Sequence, residues 1–102
     1  MNAAELREST QEAKPPLGIG SLLEALWHEA RGDWDRAHRI VQDIGTAEAA
    51  WVHAYLHRVE GDEGNAGYWY KRANRPRSNA DLDDEWYEVA ESLCSALTGD
   101  PG

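Results

Sequence analysis

The sequence predicts an all-α fold, an α-α superhelix of two helical hairpins followed by a C-terminal capping helix. Three observations carry this prediction. The chain resembles itself at an offset of 29 residues, as from Ala25 to Ala54, its apolar residues recur at helical spacing, and Gly-Asp and Gly-Thr pairs separate the helical stretches. A repeat of about this length is typical of stacked hairpins, because one hairpin is too small to bury its own apolar face.

The internal repeat aligns residues 22–45 with residues 51–74. A glycine-aspartate pair, a histidine and two alanines recur at identical places in the two blocks. The identical pairs are Ala25 with Ala54, His28 with His57, Gly32 with Gly61, Asp33 with Asp62, and Ala37 with Ala66.

The first hairpin is predicted to begin at Ser21, where Ser21 and Glu24 have the spacing of a capping box. Apolar residues then follow at helical spacing. Gly32 is expected to end this helix with a positive φ angle, and Asp33 to cap the next one. The apolar residues of the two helices are Leu22, Leu23, Leu26, Trp27 and Ala30, then Trp34, Ala37, Ile40, Val41 and Ile44.

The second hairpin has the same order of helix caps and helix-ending glycines. Thr46 is the predicted cap of a helix over 47–60, and Gly61 with Asp62 turns the chain into a fourth helix. Pro76 ends that hairpin. A fifth helix over about 81–97 has no counterpart in the repeat, and its apolar side and acidic side suit a cap for the open end of a stack. Its apolar side carries Leu82, Trp86, Val89, Leu93 and Leu97.

Length and composition bound the class of protein. The 102 residues suffice for one domain, predicted over 19–98. The polar segment over 1–18 is expected to be a frayed helix or a disordered arm, and residues 99–102 a tail. The net charge of −9 argues against nucleic acid or an anionic membrane as partner. One cysteine precludes an internal disulfide, and no apolar run or leader sequence is visible, so the cytoplasm is the expected location.

The Gly-Asp-x-x-x-Ala pattern of both blocks, with a small residue seven positions before the glycine, resembles the tetratricopeptide repeat. The segment 65–73 is also similar to the second helix of the SEL-type variant of that repeat. The resemblance covers about 22–76 and implies a scaffold that binds a peptide or a protein partner. The shorter offset and the residues Glu24, His28, His53 and His57 depart from the pattern of the family, where leucine or tyrosine is usual.

A partner surface is predicted on the third helix. If the register of the family holds, Trp51, Tyr55 and Arg58 look into the concave side of the stack, accompanied by His53 and His57. Tryptophan, tyrosine and arginine are enriched at binding hot spots. The alternative is that these aromatic residues fill the core between the repeats.

The histidines support a second prediction, a site for a metal or a small molecule, with or without catalysis. His53 and His57 are four residues apart and project from one helical face. The repeat places Glu24 and His28 at the matching positions of the first hairpin, which gives the candidate ligand set His28, His53, His57 and Glu24. Packing histidines are the alternative interpretation.

Two further features have plain structural interpretations. Lys71, Arg72, Arg75 and Arg77 form a basic helix end, or else a site for an acidic partner. Cys94 is expected to be a structural thiol. The first hypothesis is therefore a protein-binding scaffold without catalysis and without a cofactor, and two copies of so short a stack could also pair as a homodimer.

Overall fold

Residues 1–97 are described by a computed structural model, the side chain of Leu97 excepted. They form six α-helices and contain no strand, which confirms the all-α prediction. The predicted tail at 99–102 lies outside the described residues. The helices are α1 (Ala3–Ser9), α2 (Ser21–Ala30), α3 (Trp34–Val41), α4 (Ala47–Val59), α5 (Glu63–Arg72) and α6 (Leu82–Leu97). Within residues 1–97, no helix combines the length and the apolar character needed to cross a bilayer.

Two helical hairpins follow one another along the chain. α2 packs on α3, α4 packs on α5, and α3 lies against α4. The turns within the hairpins have one geometry. Gly32 and Gly61 have φ angles of 87° and 84°, and the amide of the following aspartate donates to the histidine carbonyl of the preceding helix. The helix-ending glycines predicted from the sequence are therefore confirmed.

The helix caps agree with the sequence at three predicted positions and differ at one. Asp33, Asp62 and Thr46 each accept a hydrogen bond from the amide three residues on. The prediction of a capping box at Ser21 is wrong. α2 does begin at Ser21, but its cap is Gly20, whose φ of 87° turns the chain, and the Glu24 amide donates to the Gly20 carbonyl.

The N-terminal segment, expected as a polar arm, contains helix α1. Asn2 caps α1 through a full capping box with Glu5. The Leu6 side chain is fully buried, because α1 lies against α6 and α2. Arg31 then holds the chain beyond α1, since its guanidinium donates to the carbonyls of Thr10 and Glu12.

Helix α6 lies across the first helices of both hairpins. It packs on α4, α2 and α1, and it contacts α5 through side chains rather than along its length. Trp86, Val89 and Leu93 are buried as predicted, whereas Leu82 is 38% exposed. The radius of gyration is 12.7 Å, as expected for a folded unit of about 100 residues.

Candidate binding sites on the helical stack

Helix α4 is the centre of the molecule, and every residue from Ala49 to His57 on it is buried. One side of α4 faces α6 and α2, and the other side faces α3 and α5. The five residues predicted to form one partner surface therefore divide between two environments. Trp51, Tyr55 and Arg58 lie on the first side, and His53 and His57 lie on the second.

On the α6 side, the buried carboxylate of Glu85 accepts hydrogen bonds from three side chains. The indole nitrogen of Trp51 donates to Glu85 Oε2 over 3.2 Å, and the guanidinium of Arg58 donates to Oε1 over 2.6 Å. The Tyr70 hydroxyl donates a short hydrogen bond to the same carboxylate. Burial, and then this hydrogen bond, raise the pKa of Tyr70. The arrangement pairs the buried charge of Glu85 with a cation and two neutral donors.

Tyr55 bonds to α2 rather than to α6. Its hydroxyl donates to Glu29 Oε1 over 3.0 Å, and burial raises the pKa of both groups. Trp51 and Tyr55 are 5% and 2% exposed. A partner could therefore reach them only after the groups that cover them had moved, and their assignment to a partner surface stays a prediction.

On the other side of α4, His53 and His57 meet His38 from α3. We call these three residues the histidine cluster. One ring nitrogen of each lies within 4.8 Å of the others, and His38 Nε2 is 3.0 Å from His53 Nε2. The cluster joins the first hairpin to the second, since His38 belongs to one and His53 and His57 belong to the other.

Aromatic rings and a carboxylate hold the cluster in place. Trp34 stacks on His38 with ring centres 4.9 Å apart, and Trp69 stacks on His53 at 3.8 Å. The Trp34 ring is fixed in turn, because its Nε1 donates to the Leu56 carbonyl over 2.6 Å. Glu60 Oε1 lies 2.7 Å from His57 Nδ1.

Burial disfavours the charged form of two of the three histidines, His53 and His38. It lowers the pKa of His53 to about 4, and the neighbouring His38 and His57 add to the effect. Burial, and then His57, lower the pKa of His38 as well. At neutral pH each of these two imidazoles is therefore neutral and has one unprotonated ring nitrogen, which is the form that binds metal ions.

The candidate ligands Glu24 and His28 lie elsewhere. Within residues 1–97, the groups of close ligating atoms that contain His53 or His57 include neither of them. Instead they line a cleft of about 460 Å³ beside the loop over 15–18, together with Arg36. Burial, and then Arg36, lower the pKa of His28. Helix α3 thus supplies the third histidine of the cluster, and α2 does not.

A second candidate site is the outer side of α5. Tyr68 is 52% exposed, and the Arg72 guanidinium lies 5.8 Å from its ring centre and 5.1 Å from that of Trp69. Arg72 also donates to the Tyr68 hydroxyl over 3.0 Å. We call Tyr68, Trp69 and Arg72 the α5 surface.

The remaining predicted features have structural roles. Cys94 is buried in the core, and burial raises the pKa of its thiol, which suits a packing residue better than a nucleophile. In the basic helix end, Arg75 pairs with Glu88 at 3.4 Å and lies over the Trp51 ring at 3.5 Å. Arg77 lies 3.9 Å from Glu63.

Sequence reasoning missed two residues of these sites, His38 and Glu85. Glu85 lies three residues after Leu82 and four before Val89, so its place on the apolar side of α6 was readable from helical spacing. His38 carried no such signal, because its partners lie in the other hairpin and its repeat counterpart is Gly67. No family model, no curated protein and no solved structure matches this chain.

Proposed function

We propose that the chain is a small tetratricopeptide-like scaffold that binds an acidic segment of a protein partner through the α5 surface, without catalysis. The observation that carries the proposal is the Tyr68–Trp69–Arg72 arrangement on α5, whose outer side no other helix of residues 1–97 covers. Tyrosine, tryptophan and arginine are the residue types that dominate binding energy at interfaces.

The scaffold part of the proposal is supported by the hairpins. Ala25 and Ala37 in the first hairpin, and Ala54 and Ala66 in the second, are fully buried. These are the small residues that the tetratricopeptide pattern uses where two helices approach closely. The matched Gly-Asp turns support the same interpretation.

The first helices of successive hairpins line the usual binding groove of the tetratricopeptide family, and here α6 packs against the corresponding helices α2 and α4. A partner that binds without rearranging the fold is left with the outer faces. α5 is the last helix of the stack, and α6 turns back over α4 instead of continuing beyond it. The outer side of α5 is therefore the natural place to extend the stack.

Charge favours an acidic partner. Lys71, Arg72, Arg75 and Arg77 are exposed near the end of α5 in a chain whose net charge is −9. Arg75 and Arg77 have weak ion pairs. Among residues 1–97, Arg72 contacts aromatic rings instead of a carboxylate, so its charge stays available to a partner. Complementary charge speeds association and fixes orientation.

A displayed library of random peptides, selected on the purified protein, tests the proposal. We expect acidic peptides that bind wild type but bind Arg72→Glu and Tyr68→Ala at least tenfold more weakly. Tyr87→Ala is the matched control, because Tyr87 is a 39% exposed tyrosine on α6. Peptides that bind the Tyr68 and Arg72 variants as tightly as wild type would refute the proposed surface.

The Arg72→Glu variant also tests whether the chain forms a homodimer. If a second copy is the partner, sedimentation velocity will show a dimer of wild type and a monomer of Arg72→Glu at equal concentration. A dimer that persists in Arg72→Glu would place the contact between copies away from the α5 surface.

A further inference from the structure

We infer that His38, His53 and His57 form a binding site for a divalent transition metal ion, Zn²⁺ by preference, which ties the two hairpins together. The ligand set differs from the one that the repeat suggested, since α3 supplies His38 in place of Glu24 and His28.

The distances suit one shared ion. Zinc binds imidazole nitrogen at about 2.0–2.1 Å, which places the nitrogens of a tetrahedral site about 3.3 Å apart. His38 Nε2 and His53 Nε2 are 3.0 Å apart, and the cluster spans at most 4.8 Å. Closing its widest pair therefore takes a shift of no more than about 1.5 Å, within reach of small rotations of the side chains.

Glu60 orients the third ligand. Its carboxylate is 2.7 Å from His57 Nδ1, a position in which it would accept the Nδ1 proton and leave Nε2 as the ligating atom. A carboxylate behind a ligating histidine is the common outer contact of zinc sites, because it fixes the tautomer and raises the basicity of the ligand. The Glu60 side chain is 38% exposed, so this contact can be removed without disturbing the core.

The rings are held before any ion binds. Trp34 and Trp69 stack on the two sides of the cluster, on His38 and His53. His53 and His57 stack on each other with their centres 4.9 Å apart. Because these contacts restrict rotation, the ligands lose little conformational freedom on binding.

The local charge suits a divalent cation. The carboxylates that act on His38 are Glu60 and Asp35, while its neighbours in the cluster are imidazoles. Nitrogen donors of this kind select zinc, copper, nickel and cobalt over magnesium and calcium, which prefer oxygen. Three protein ligands leave the fourth position of a tetrahedral ion for water or for an external ligand.

Metal titration of the tag-free, chelator-stripped protein tests the inference. We expect one equivalent of Zn²⁺ in calorimetry, and Co²⁺ in the same site should give the intense visible absorption of tetrahedral coordination. His38→Gln should weaken Zn²⁺ binding at least a hundredfold, and Glu60→Gln should weaken it about tenfold. His38 is half-buried, and circular dichroism will report whether its variant stays folded.

His28→Gln is the matched control. It removes the remaining histidine of the chain, which is also buried but lies outside the cluster, and it should bind one Zn²⁺ like wild type. Absence of stoichiometric binding by wild type would overturn the inference. Zn²⁺ binding by His38→Gln and Glu60→Gln as tight as that of wild type would also overturn it. So would loss of Zn²⁺ binding in His28→Gln. If His38→Gln unfolds, Glu60→Gln and the cobalt spectrum still decide between the two outcomes.

Discussion

At the scale of single residues, Glu85 holds the largest share of the buried polar contacts on α6. Its carboxylate accepts from Trp51, Arg58 and Tyr70, and its side chain is 1% exposed. We expect Glu85→Ala to lower the free energy of unfolding by about 3–5 kcal/mol, because it leaves the Arg58 charge buried without its partner. Urea denaturation followed by tryptophan fluorescence measures the change.

Glu88→Ala is the control for that experiment. Glu88 lies one turn further along α6, and its 3.4 Å ion pair with Arg75 is largely exposed. Such pairs contribute less than about 1 kcal/mol. Similar losses in the two variants would show that Glu85 is not the centre of a buried network.

His53 makes the stability of the metal-free protein depend on pH. Burial, and then His38 and His57, lower its folded pKa to about 4, against an ordinary histidine pKa of 6.5. Between these values the unfolded chain binds a proton that the folded chain does not, so stability falls as the pH drops from 6.5 towards 4. The loss is on the order of 3 kcal/mol when complete.

Urea denaturation at pH 7 and at pH 4, with a chelator present, measures this loss. The His53→Gln variant keeps every carboxylate, including Glu60 and Asp35 near the cluster, and so reports the background acid effect. Wild type should lose more stability than His53→Gln between the two pH values. Equal losses would show that His53 titrates normally.

Single residues also show what the sequence could predict about the sites. His53 and His57 were visible as a pair because one helix relates them, and a spacing of four fixes a shared face. His38 was not, because periodicity within a helix carries no information about which other helix packs against it. The same limit left open whether Trp51 and Tyr55 face a groove or fill the core, since the sequence did not reveal that α6 returns over α4.

At the scale of helices, local signals predicted most boundaries. Asp33, Thr46 and Asp62 are caps, and Gly32 and Gly61 end helices, because these residue types act on their own backbone. α1 was missed as a docked helix, because seven residues with one large apolar side chain give no periodic pattern. Its place depends on long-range contacts of Leu6 and of Arg7, which lies 4.8 Å over the Trp86 ring.

The substitution Gly61→Ala tests the conformation of the turn between α4 and α5. The Gly61 φ of 84° lies in the left-handed region, so Gly61→Ala should cost about 1–2 kcal/mol of unfolding free energy. Gly45→Ala is the matched control, because Gly45 is not among the residues with positive φ and no atom lies within 4 Å of an added methyl group. Thermal and urea unfolding of the two variants measure the difference. Equal effects would remove the conformational explanation for the turn.

The substitution Leu6→Ala tests the packing of α1 against α6 and α2. The fully buried Leu6 side chain packs in the core, so Leu6→Ala should cost about 2–5 kcal/mol. Amides of α1 should then exchange faster than those of α4. Glu8→Ala, an exposed change in the same helix, should leave exchange and stability unchanged. An unaffected Leu6→Ala protein would mean that α1 contributes little to the fold.

At the scale of the whole molecule, the helices form one core rather than a row of independent repeats. α4 contacts α2, α3, α5 and α6, and α1 joins the stack through α6 and α2. In a long solenoid, each repeat contacts its neighbours alone and stability accumulates along the chain. Here α6 folds back over α2 and α4, the first helices of the two hairpins, and also contacts α1, so α1 and α6 depend on each other.

Removal of α6 tests this dependence. A chain that ends at Asp81 lacks Trp86, which is fully buried and donates to the Leu26 carbonyl over 3.1 Å, and lacks Glu85 beneath Trp51. We expect this fragment to lose its cooperative thermal transition and to bind a dye for exposed apolar surface, because the α2 and α4 sides that α6 covers become solvent-exposed. A chain that ends at Leu97 retains the six helices described for residues 1–97 and should melt like the full chain. If the fragment ending at Asp81 melted cooperatively with unchanged helicity per residue, the hairpins would be self-sufficient. Helix α6 would then be a removable cover over Trp51 and Tyr55, and the concave side would regain its place as a partner surface.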